Sequence, residues 1–246
     1  MYKTHSLNLT IVRHGETQGN VNRKFEGITD SPLNEKGRYQ AECTGKFLKN
    51  ENFDIVFTSD LKRASETASI IVKENLNMWK HNNNFVELPI LREINMGVLE
   101  GVSFKEYDNV RTKEGTAWYE FTPKGGESTA DVKNRCKAFM ERICDIYPSS
   151  SKTIPRILVV AHGLVIAQLL NVIYEETKCS GMPVGEVQNA FTELNDGISL
   201  LRMSNTAITR VDIEVEEPKK EMKSAKCDVY KSKNHLLNNV AINSML

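Results

Sequence analysis

The chain has 246 residues, of which 40% are hydrophobic, 26% are charged and 7% are aromatic. This composition is typical of a globular protein of one large or two small domains, and it excludes the disordered and fibrous classes. Because 32 Lys and Arg residues balance 32 Asp and Glu residues, the overall charge favours neither a nucleic-acid partner nor a membrane partner.

No segment of the sequence indicates export or insertion into a membrane. The N-terminus has no apolar run of signal-peptide length. The longest nearly apolar stretch, residues 157–173, is interrupted by polar side chains and falls short of the ~20 apolar residues that a membrane span needs. The five cysteines are scattered and form no C-x-x-C pair, which favours reduced thiols over disulfides or a zinc site. We therefore expect a soluble, cytoplasmic protein.

Short apolar runs alternate with helical patterns along the chain, which predicts an α/β fold with a largely parallel sheet. The predicted strands cover residues 8–12, 54–58, 85–91, 157–161, 198–203 and 207–215. The predicted helices cover residues 34–48, 61–74, 129–147 and 164–174. From residue 216 the sequence becomes strongly charged, so we predict a domain over residues 1–215 and a charged C-terminal tail over residues 216–246, with 229–237 as a candidate docking segment.

Two of the predicted strands end in the same dipeptide, His-Gly. The first ends at His14, directly after Arg13, and the other ends at His162. Ligands of open α/β sheets bind beyond the carboxyl ends of the strands, so parallel neighbouring strands would bring both histidines to one rim. A single histidine of this kind is more often structural, whereas a pair at two strand ends indicates a functional site.

The residues around the first strand end are rich in hydrogen-bond donors. After Arg13 and His14 come the hydroxyl of Thr17 and the amide of Asn20, and an intervening glycine permits close approach of the backbone. Arg63 falls in the first turn of the helix predicted over residues 61–74, where backbone amides also favour anions. Its alternative role is a surface ion pair with a neighbouring acid. Together these residues predict an anion site that is built locally.

Several blocks of the sequence, in this order, carry a family resemblance. They are R-H-G-E-T-x-x-N at residues 13–20, G-x-x-D-x-P-L at 27–33, S-x-x-x-R-A-x-x-T at 59–67, L-R-E at 91–93, P-x-G-G-E-S at 123–128 and A-H-G at 161–163. They resemble the histidine phosphatase superfamily, also called phosphoglycerate-mutase-like, over about residues 8–213. The resemblance implies a three-layer α/β/α fold with a mixed, mostly parallel sheet flanked by helices.

The resemblance also implies a mechanism without metal or cofactor. His14 would be the nucleophile that becomes phosphohistidine, and Glu93 would protonate the leaving alkoxide. Arg13, Arg63 and His162 would hold the phosphoryl oxygens, as expected of a reaction that depends on charge stabilisation. The expected substrate contacts are Asn20, Thr17, Gly27, Gly163, Lys105 and Arg111. The expected ligand is a small phosphorylated metabolite, a sugar bisphosphate.

The segment after Glu93 separates branches of the family. Cofactor-dependent mutases carry E-R-x-Y-G there, whereas residues 93–97 of this chain read E-I-N-M-G, which favours a phosphatase. The pattern L-R-E-x-x-x-G-x-x-E-G at 91–101, with F-T-P-x-G-G-E at 121–127, is most similar to TIGAR-type fructose-2,6-bisphosphatases, although the 147–157 connection is shorter than in vertebrate members. The TIGAR resemblance implies that residues 102–124, including Lys105, Arg111, Lys113, Trp118 and Tyr119, wall the pocket. A surface helical hairpin is the alternative.

Other functions are compatible with parts of the sequence. The α-ribazole phosphatases share the same core motifs and remain an alternative. Cys136 and Arg142 have the C-x5-R spacing of cysteine-dependent phosphatases, but the residues between them contain no glycine and lie inside a predicted helix. A non-catalytic protein that binds phosphorylated ligands would be expected to have lost at least one of the catalytic residues. The sequence therefore predicts a phosphomonoester hydrolase.

Overall fold

The computed structural model describes residues 4–77, 84–117, 120–147, 153–177, 180–181, 203–217 and 219–236. The strands are β1 (Thr4–Arg13), β2 (Ile55–Thr58), β3 (Phe85–Glu87), β4 (Arg156–Ala161), β5 (Ile208–Glu216) and β6 (Glu221–Ser232). The helices are α1 (Gln18–Val21), α2 (Glu35–Phe47), α3 (Lys62–Glu74), α4 (Phe104–Lys113), α5 (Thr129–Ile146) and α6 (Gly163–Thr177). Single turns of 3₁₀ helix lie at Pro89–Leu91 and Gly97–Leu99.

The six strands form one sheet in the order β3-β2-β4-β1-β5-β6. Strands β3, β2, β4 and β1 run parallel to one another, and β5 and β6 are antiparallel at one side. This arrangement confirms the predicted mixed, mostly parallel sheet. Since Arg13 at the end of β1 pairs with Ala161 at the end of β4, the residues that follow the two strands meet at one edge of the sheet.

Helices cover the sheet on both sides, which confirms the predicted three-layer arrangement. On one face, Leu9 and Ile11 of β1 pack in a common core with Phe139 of α5 and with α6. On the other face, Val12 packs in a second core with Ile71 of α3 and with the end of α2. Because β1 and β4 are central strands with both faces buried, they consist almost entirely of apolar residues near their carboxyl ends.

Local sequence signals fix where several helices begin. The Asn34 side chain accepts a hydrogen bond from the Gly37 amide and caps α2. Ser128 and Asp131 form a reciprocal capping box at the start of α5. The described helices contain none that is long and apolar enough to cross a bilayer.

The structure corrects the expectation of a charged tail for residues 221–232. These residues form β6, which pairs with β5, and the side chains of Met222 and Cys227 are buried. The charged run that suggested a tail surrounds the turn between the two strands, where solvent exposure is expected. The candidate docking segment 229–237 starts within β6 and places His235 in a buried position.

Two other strand predictions differ from the structure. The strand predicted over residues 85–91 ends at Glu87 and gives way to the 3₁₀ turn, because Pro89 has no amide hydrogen to extend the ladder. Of the strand predicted over 198–203, residues 198–202 lie outside the described residues and Met203 lies in a bend.

Candidate active site

Neighbouring strands β1 and β4 each deliver a histidine to the same edge of the sheet. His14 follows β1 and His162 follows β4, and the two side chains are buried, with 3% and 0% exposure. Their ring centroids lie 5.2 Å apart. The register of the two strands therefore brings together the two histidines that the His-Gly pattern singled out.

The His14 imidazole is held in one orientation with a defined tautomer. Its Nδ1 lies 2.7 Å from the Gly15 carbonyl oxygen, an acceptor only, so Nδ1 carries the proton and Nε2 keeps its lone pair. Burial lowers the pKa of His14 well below its usual value, and the charges of Arg13 and Arg63 lower it further. The ring is therefore neutral near pH 7, the state that a nucleophile requires.

Close backbone contacts fix the loop that carries His14. A Cβ atom at Gly15 would lie 2.4 Å from the Gly37 carbonyl oxygen of α2, so only glycine fits there. The Gly15 amide donates to Thr67 Oγ1 of α3 at 2.9 Å. The glycine of the first motif and the threonine of the S-x-x-x-R-A-x-x-T motif thus act on the same loop.

Two arginines, one buried and one partly buried, flank the histidines. Arg63 lies at the start of α3, is 1% exposed and donates from Nη1 to Thr29 O and from Nη2 to Gly27 O, each at 2.7 Å. Its buried Nε has no hydrogen-bond partner among the described residues. The Arg13 guanidinium donates to the Met203 carbonyl. Burial lowers the pKa of both guanidinium groups, as expected for cations held ready for an anion.

Gly27 orients Arg63 through its backbone. It has a left-handed φ of +47°, and a Cβ atom there would lie 2.0 Å from Glu100 Oε1. The Glu100 carboxylate accepts hydrogen bonds from the amides of Ile28 and Thr29 at 3.1 Å. Glycine at this position therefore allows the turn that aims a carbonyl oxygen at the Arg63 guanidinium.

Glu93 completes the polar wall of the site. It follows the 3₁₀ turn after β3, and its Oε2 accepts from the Leu164 amide in the first turn of α6 at 3.2 Å. Its Oε1 accepts from the Ile94 amide at 2.9 Å. Because Leu164 lies two residues after His162, these contacts hold the carboxylate beside the histidine pair.

These groups border one cavity of about 230 Å³. Its lining comprises Arg13, His14, Asn20, Lys24, Phe25, Glu26, Gly27, Arg63, Glu93, Ile94, Met96, Phe104, Leu164 and Asn205. His162 is fully buried behind this lining, and its two ring nitrogens have no hydrogen-bond partner among the described residues. Burial and the charge of Arg63 hold the pKa of His162 well below its usual value. Within the described ranges, no three His, Cys, Asp or Glu residues form a group that could hold a metal ion.

The expected substrate contacts divide into two groups. Asn20 and Gly27 line the cavity, whereas Thr17 is not part of the lining, caps α1 and donates to Glu26. Gly163 is buried at the start of α6 and is not part of the cavity lining.

The predicted pocket wall over residues 102–124 is present only in part. Phe104 of α4 lines the cavity, but Lys105 is exposed to solvent away from it. The Arg111 guanidinium pairs with Asp108 and donates to the Thr116 carbonyl. Trp118 and Tyr119 lie outside the described residues.

Three polar residues of the lining were not found by sequence reasoning: Lys24, Glu26 and Asn205. Lys24 and Glu26 flank Phe25 directly before the G-x-x-D-x-P-L block, so their position beside a motif was a usable signal. Asn205 donates to the His14 carbonyl at 3.1 Å and to Asn20 Oδ1 at 2.9 Å. It lies far along the chain from His14, in a segment without a motif.

The alternative based on Cys136 finds no support in the structure. Cys136 lies within α5 and is 0% exposed, and burial raises the pKa of its thiol to about 12. A cysteine nucleophile needs an accessible thiolate, which requires a lowered pKa.

The sequence of this chain matches a known protein family over most of its length. The family described as histidine phosphatase superfamily (branch 1) matches residues 9–223. This chain belongs to that family. The fructose-2,6-bisphosphatase TIGAR B of Danio rerio is 32% identical over 219 residues, which cover 78% of this chain and 84% of the relative. A probable phosphoglycerate mutase, GpmB of Photorhabdus laumondii, is 31% identical over 212 residues and covers 85% and 86% of the two chains.

Solved structures agree with the fold. A mycobacterial glucosyl-3-phosphoglycerate phosphatase superposes with a TM-score of 0.71 at 24% identity, over 93% of this chain and 100% of the other. A phosphoglycerate mutase of Bacillus anthracis gives a TM-score of 0.69 at 21% identity, over 95% and 96% of the two chains. The family match shows that this histidine phosphatase is an enzyme of the phosphatase class that acts on small phosphorylated substrates.

Proposed function

We propose that this histidine phosphatase hydrolyses fructose 2,6-bisphosphate through a phosphohistidine at His14. The observation that carries the proposal is the contact of His14 Nδ1 with the Gly15 carbonyl oxygen at 2.7 Å, which leaves the Nε2 lone pair free in a ring whose pKa is lowered by burial. A nitrogen lone pair close to the charges of Arg13 and Arg63 is suited to attack a phosphorus atom, because the cations offset the charge of the phosphoryl oxygens.

In the first step, Nε2 of His14 forms a bond to phosphorus and the ester oxygen leaves with the electron pair of the P–O bond. Glu93, protonated at that moment, gives its proton to the leaving oxygen and the alcohol departs. Arg63 and Arg13 bind the equatorial oxygens through guanidinium hydrogen bonds. The negative phosphoryl group favours the protonated form of His162, which then donates a hydrogen bond to it.

In the second step, water attacks the phosphorus of the phosphohistidine. The Glu93 carboxylate takes a proton from this water, and the P–N bond breaks to return the electron pair to Nε2 of His14. The products are inorganic phosphate and an enzyme with Glu93 protonated and His14 neutral, ready for another cycle.

The choice of a sugar bisphosphate rests on the mouth of the cavity and on the relatives. Lys24 is an exposed cation on the cavity lining, a position suited to a phosphate remote from the reacting one. The TIGAR B relative is a fructose-2,6-bisphosphatase by name. Cofactor-dependent mutases carry the segment E-R-x-Y-G at the position of Glu93. This chain lacks the arginine and the tyrosine of that segment.

The test is phosphate release in EDTA from fructose 2,6-bisphosphate, 2,3-bisphosphoglycerate, 3-phosphoglycerate and p-nitrophenyl phosphate. We expect the fructose ester to have the highest kcat/KM and His14→Ala to abolish its hydrolysis. Equal rates on all four esters would refute the substrate, and release that persists in His14→Ala would refute the mechanism.

A matched control is available on the same strand. His5 lies at the other end of β1, where it contacts Glu217, so His5→Gln removes an imidazole without touching the cavity. The reaction with radiolabelled ester is stopped rapidly without acid, and the label on the protein is then measured. A phosphohistidine should appear as a label that acid removes and alkali does not. The label should be present in His5→Gln and absent in His14→Ala.

A further inference from the structure

The cavity holds a carboxylate among its cations. Glu26 lines it together with Arg13 and Arg63. Its Oε2 accepts from Thr17 Oγ1 at 2.7 Å and from Asn20 Nδ2 at 3.2 Å. Its Oε1 is buried and has no hydrogen-bond partner among the described residues. One oxygen therefore anchors the side chain, and the other remains as an acceptor.

The charge of Glu26 acts on the same guanidinium that would bind the phosphoryl group. Among the neighbouring charges, that of Glu26 is the largest that raises the pKa of Arg63, against the stronger lowering by burial. A carboxylate so close to an anion site repels any second anion placed beside it, and in a buried site this repulsion is screened little. A bound molecule compensates for it only by donating a hydrogen bond to the carboxylate.

We propose that Glu26 is a specificity-determining residue, which accepts a hydrogen bond from a hydroxyl group next to the phosphoester and rejects substrates that carry a carboxylate there. The favoured class is thus phosphorylated sugars and polyols, and the disfavoured class is phosphorylated hydroxy acids. This inference rests on the proposed phosphatase function of the cavity.

The discrimination follows from the hydrogen-bonding capacity of the two groups. A hydroxyl group has one hydrogen to donate, whereas an ionised carboxylate has only acceptor oxygens. A site built to hydrogen-bond a substrate group discriminates strongly against an analogue that leaves its buried polar atom unpaired. For the carboxylate analogue, repulsion between two negative charges adds to that unpaired acceptor.

The test uses a pair of esters that differ only at this group. Glycerol 2-phosphate and 2-phosphoglycerate share the same phosphoester, and a hydroxymethyl group in the first replaces the carboxylate in the second. The quantity measured is the ratio of their kcat/KM values, in the wild type and in Glu26→Gln. Gln keeps the shape of the side chain and removes its charge.

We expect the wild type to favour glycerol 2-phosphate and Glu26→Gln to lower that preference at least about tenfold, the size of one poorly compensated charged contact. Glu35→Gln is the matched control, because it removes the same charge at the exposed start of α2, and its ratio should equal that of the wild type. An unchanged ratio in Glu26→Gln would overturn the inference.

A binding measurement distinguishes loss of specificity from loss of structure. Calorimetric titration with inorganic phosphate should show tighter binding by Glu26→Gln than by the wild type, since the repulsive charge is gone, whereas a damaged cavity binds phosphate more weakly. Weaker or equal binding would therefore contradict the inference. If hydrolysis itself proved independent of His14, the proposed function would fail, yet the phosphate titration would still test the role of Glu26.

Discussion

His235 provides a quantitative test of how the C-terminal segment docks on the domain. Its side chain is 3% exposed, and its Nε2 lies 3.1 Å from Thr44 Oγ1. The Thr44 hydroxyl already donates to the Gln40 carbonyl at 2.8 Å, so the neutral ring donates from Nε2. The ring also contacts Phe47, with centroids 5.7 Å apart. Burial lowers the pKa of His235 from 6.5 to about 4.

The sign of the pH effect follows from this lowered pKa. The unfolded chain takes up a proton at this histidine as the pH falls through 6.5, whereas the folded chain does so only near 4. The unfolded state therefore binds more protons in this window, and stability present above the upper value is lost as the pH falls toward the lower one. Between about pH 7.5 and about pH 5 the loss amounts to at most about 2 kcal/mol, at 1.36 kcal/mol per pKa unit.

The assay is urea unfolding of the wild type and of His235→Gln at these two pH values. Gln retains a donor for Thr44 but does not titrate, and His14, His162 and His5 are the same in both proteins. On acidification the wild type should lose up to about 2 kcal/mol more unfolding free energy than the variant. Equal losses in both proteins would refute the reasoning and would mean that the segment is undocked in solution.

Three further predictions concern the cavity. Gly27→Ala should lower the unfolding free energy by about 2–4 kcal/mol, because alanine strains the left-handed backbone and clashes with the Glu100 carboxylate. Urea unfolding measures this change, and an unchanged free energy would contradict the turn geometry. The same substitution should also weaken orthovanadate inhibition, since Arg63 loses its oriented acceptor. Glu93→Gln should lower kcat on alkyl phosphates by about 10²- to 10⁴-fold but less on p-nitrophenyl phosphate, whose leaving group needs no proton; an equal effect on both esters would exclude the acid role. Lys24→Ala should raise the KM for fructose 2,6-bisphosphate about tenfold or more, while the matched Lys105→Ala should leave it unchanged in steady-state assays; the reverse result would put the distal phosphate on α4.

The sequence predicted the centre of the site because that centre depends on strand register. His14 and His162 follow two apolar strands directly, so parallel pairing of those strands was sufficient to bring the rings together. Arg63 could be placed in the same way, from its position at the start of the helix after β2. These are short-range relations between a residue and its own secondary-structure element, which sequence patterns record well.

The residues around the rim depend on side-chain direction, which the sequence did not reveal. Lys105 and Arg111 lie on the segment expected to wall the pocket, but α4 packs through Tyr107, which is 4% exposed, and this packing turns Lys105 outward. Lys24 enters the cavity lining from an irregular segment instead. Strand β6 was missed because it forms by pairing with β5, a contact that its own sequence does not record. The charged residues near the turn between the two strands also obscured its alternation of buried and exposed side chains.

The loop before β5 contacts the backbone of Arg13 and His14, although it lies far from them in the sequence and carries no motif. Thr206 has a left-handed φ of +55°, an unfavourable conformation for a β-branched residue, and its amide donates to the carbonyls of Arg13 at 3.1 Å and His14 at 3.3 Å. Asn205 donates to the same His14 carbonyl. The strain at Thr206 is therefore balanced by contacts that fix the backbone of the proposed nucleophile. His235 lies next to this loop, with its Nε2 3.5 Å from Thr206 Oγ1, so the docked C-terminal segment supports the same backbone, although it lies beyond the residues that match the family.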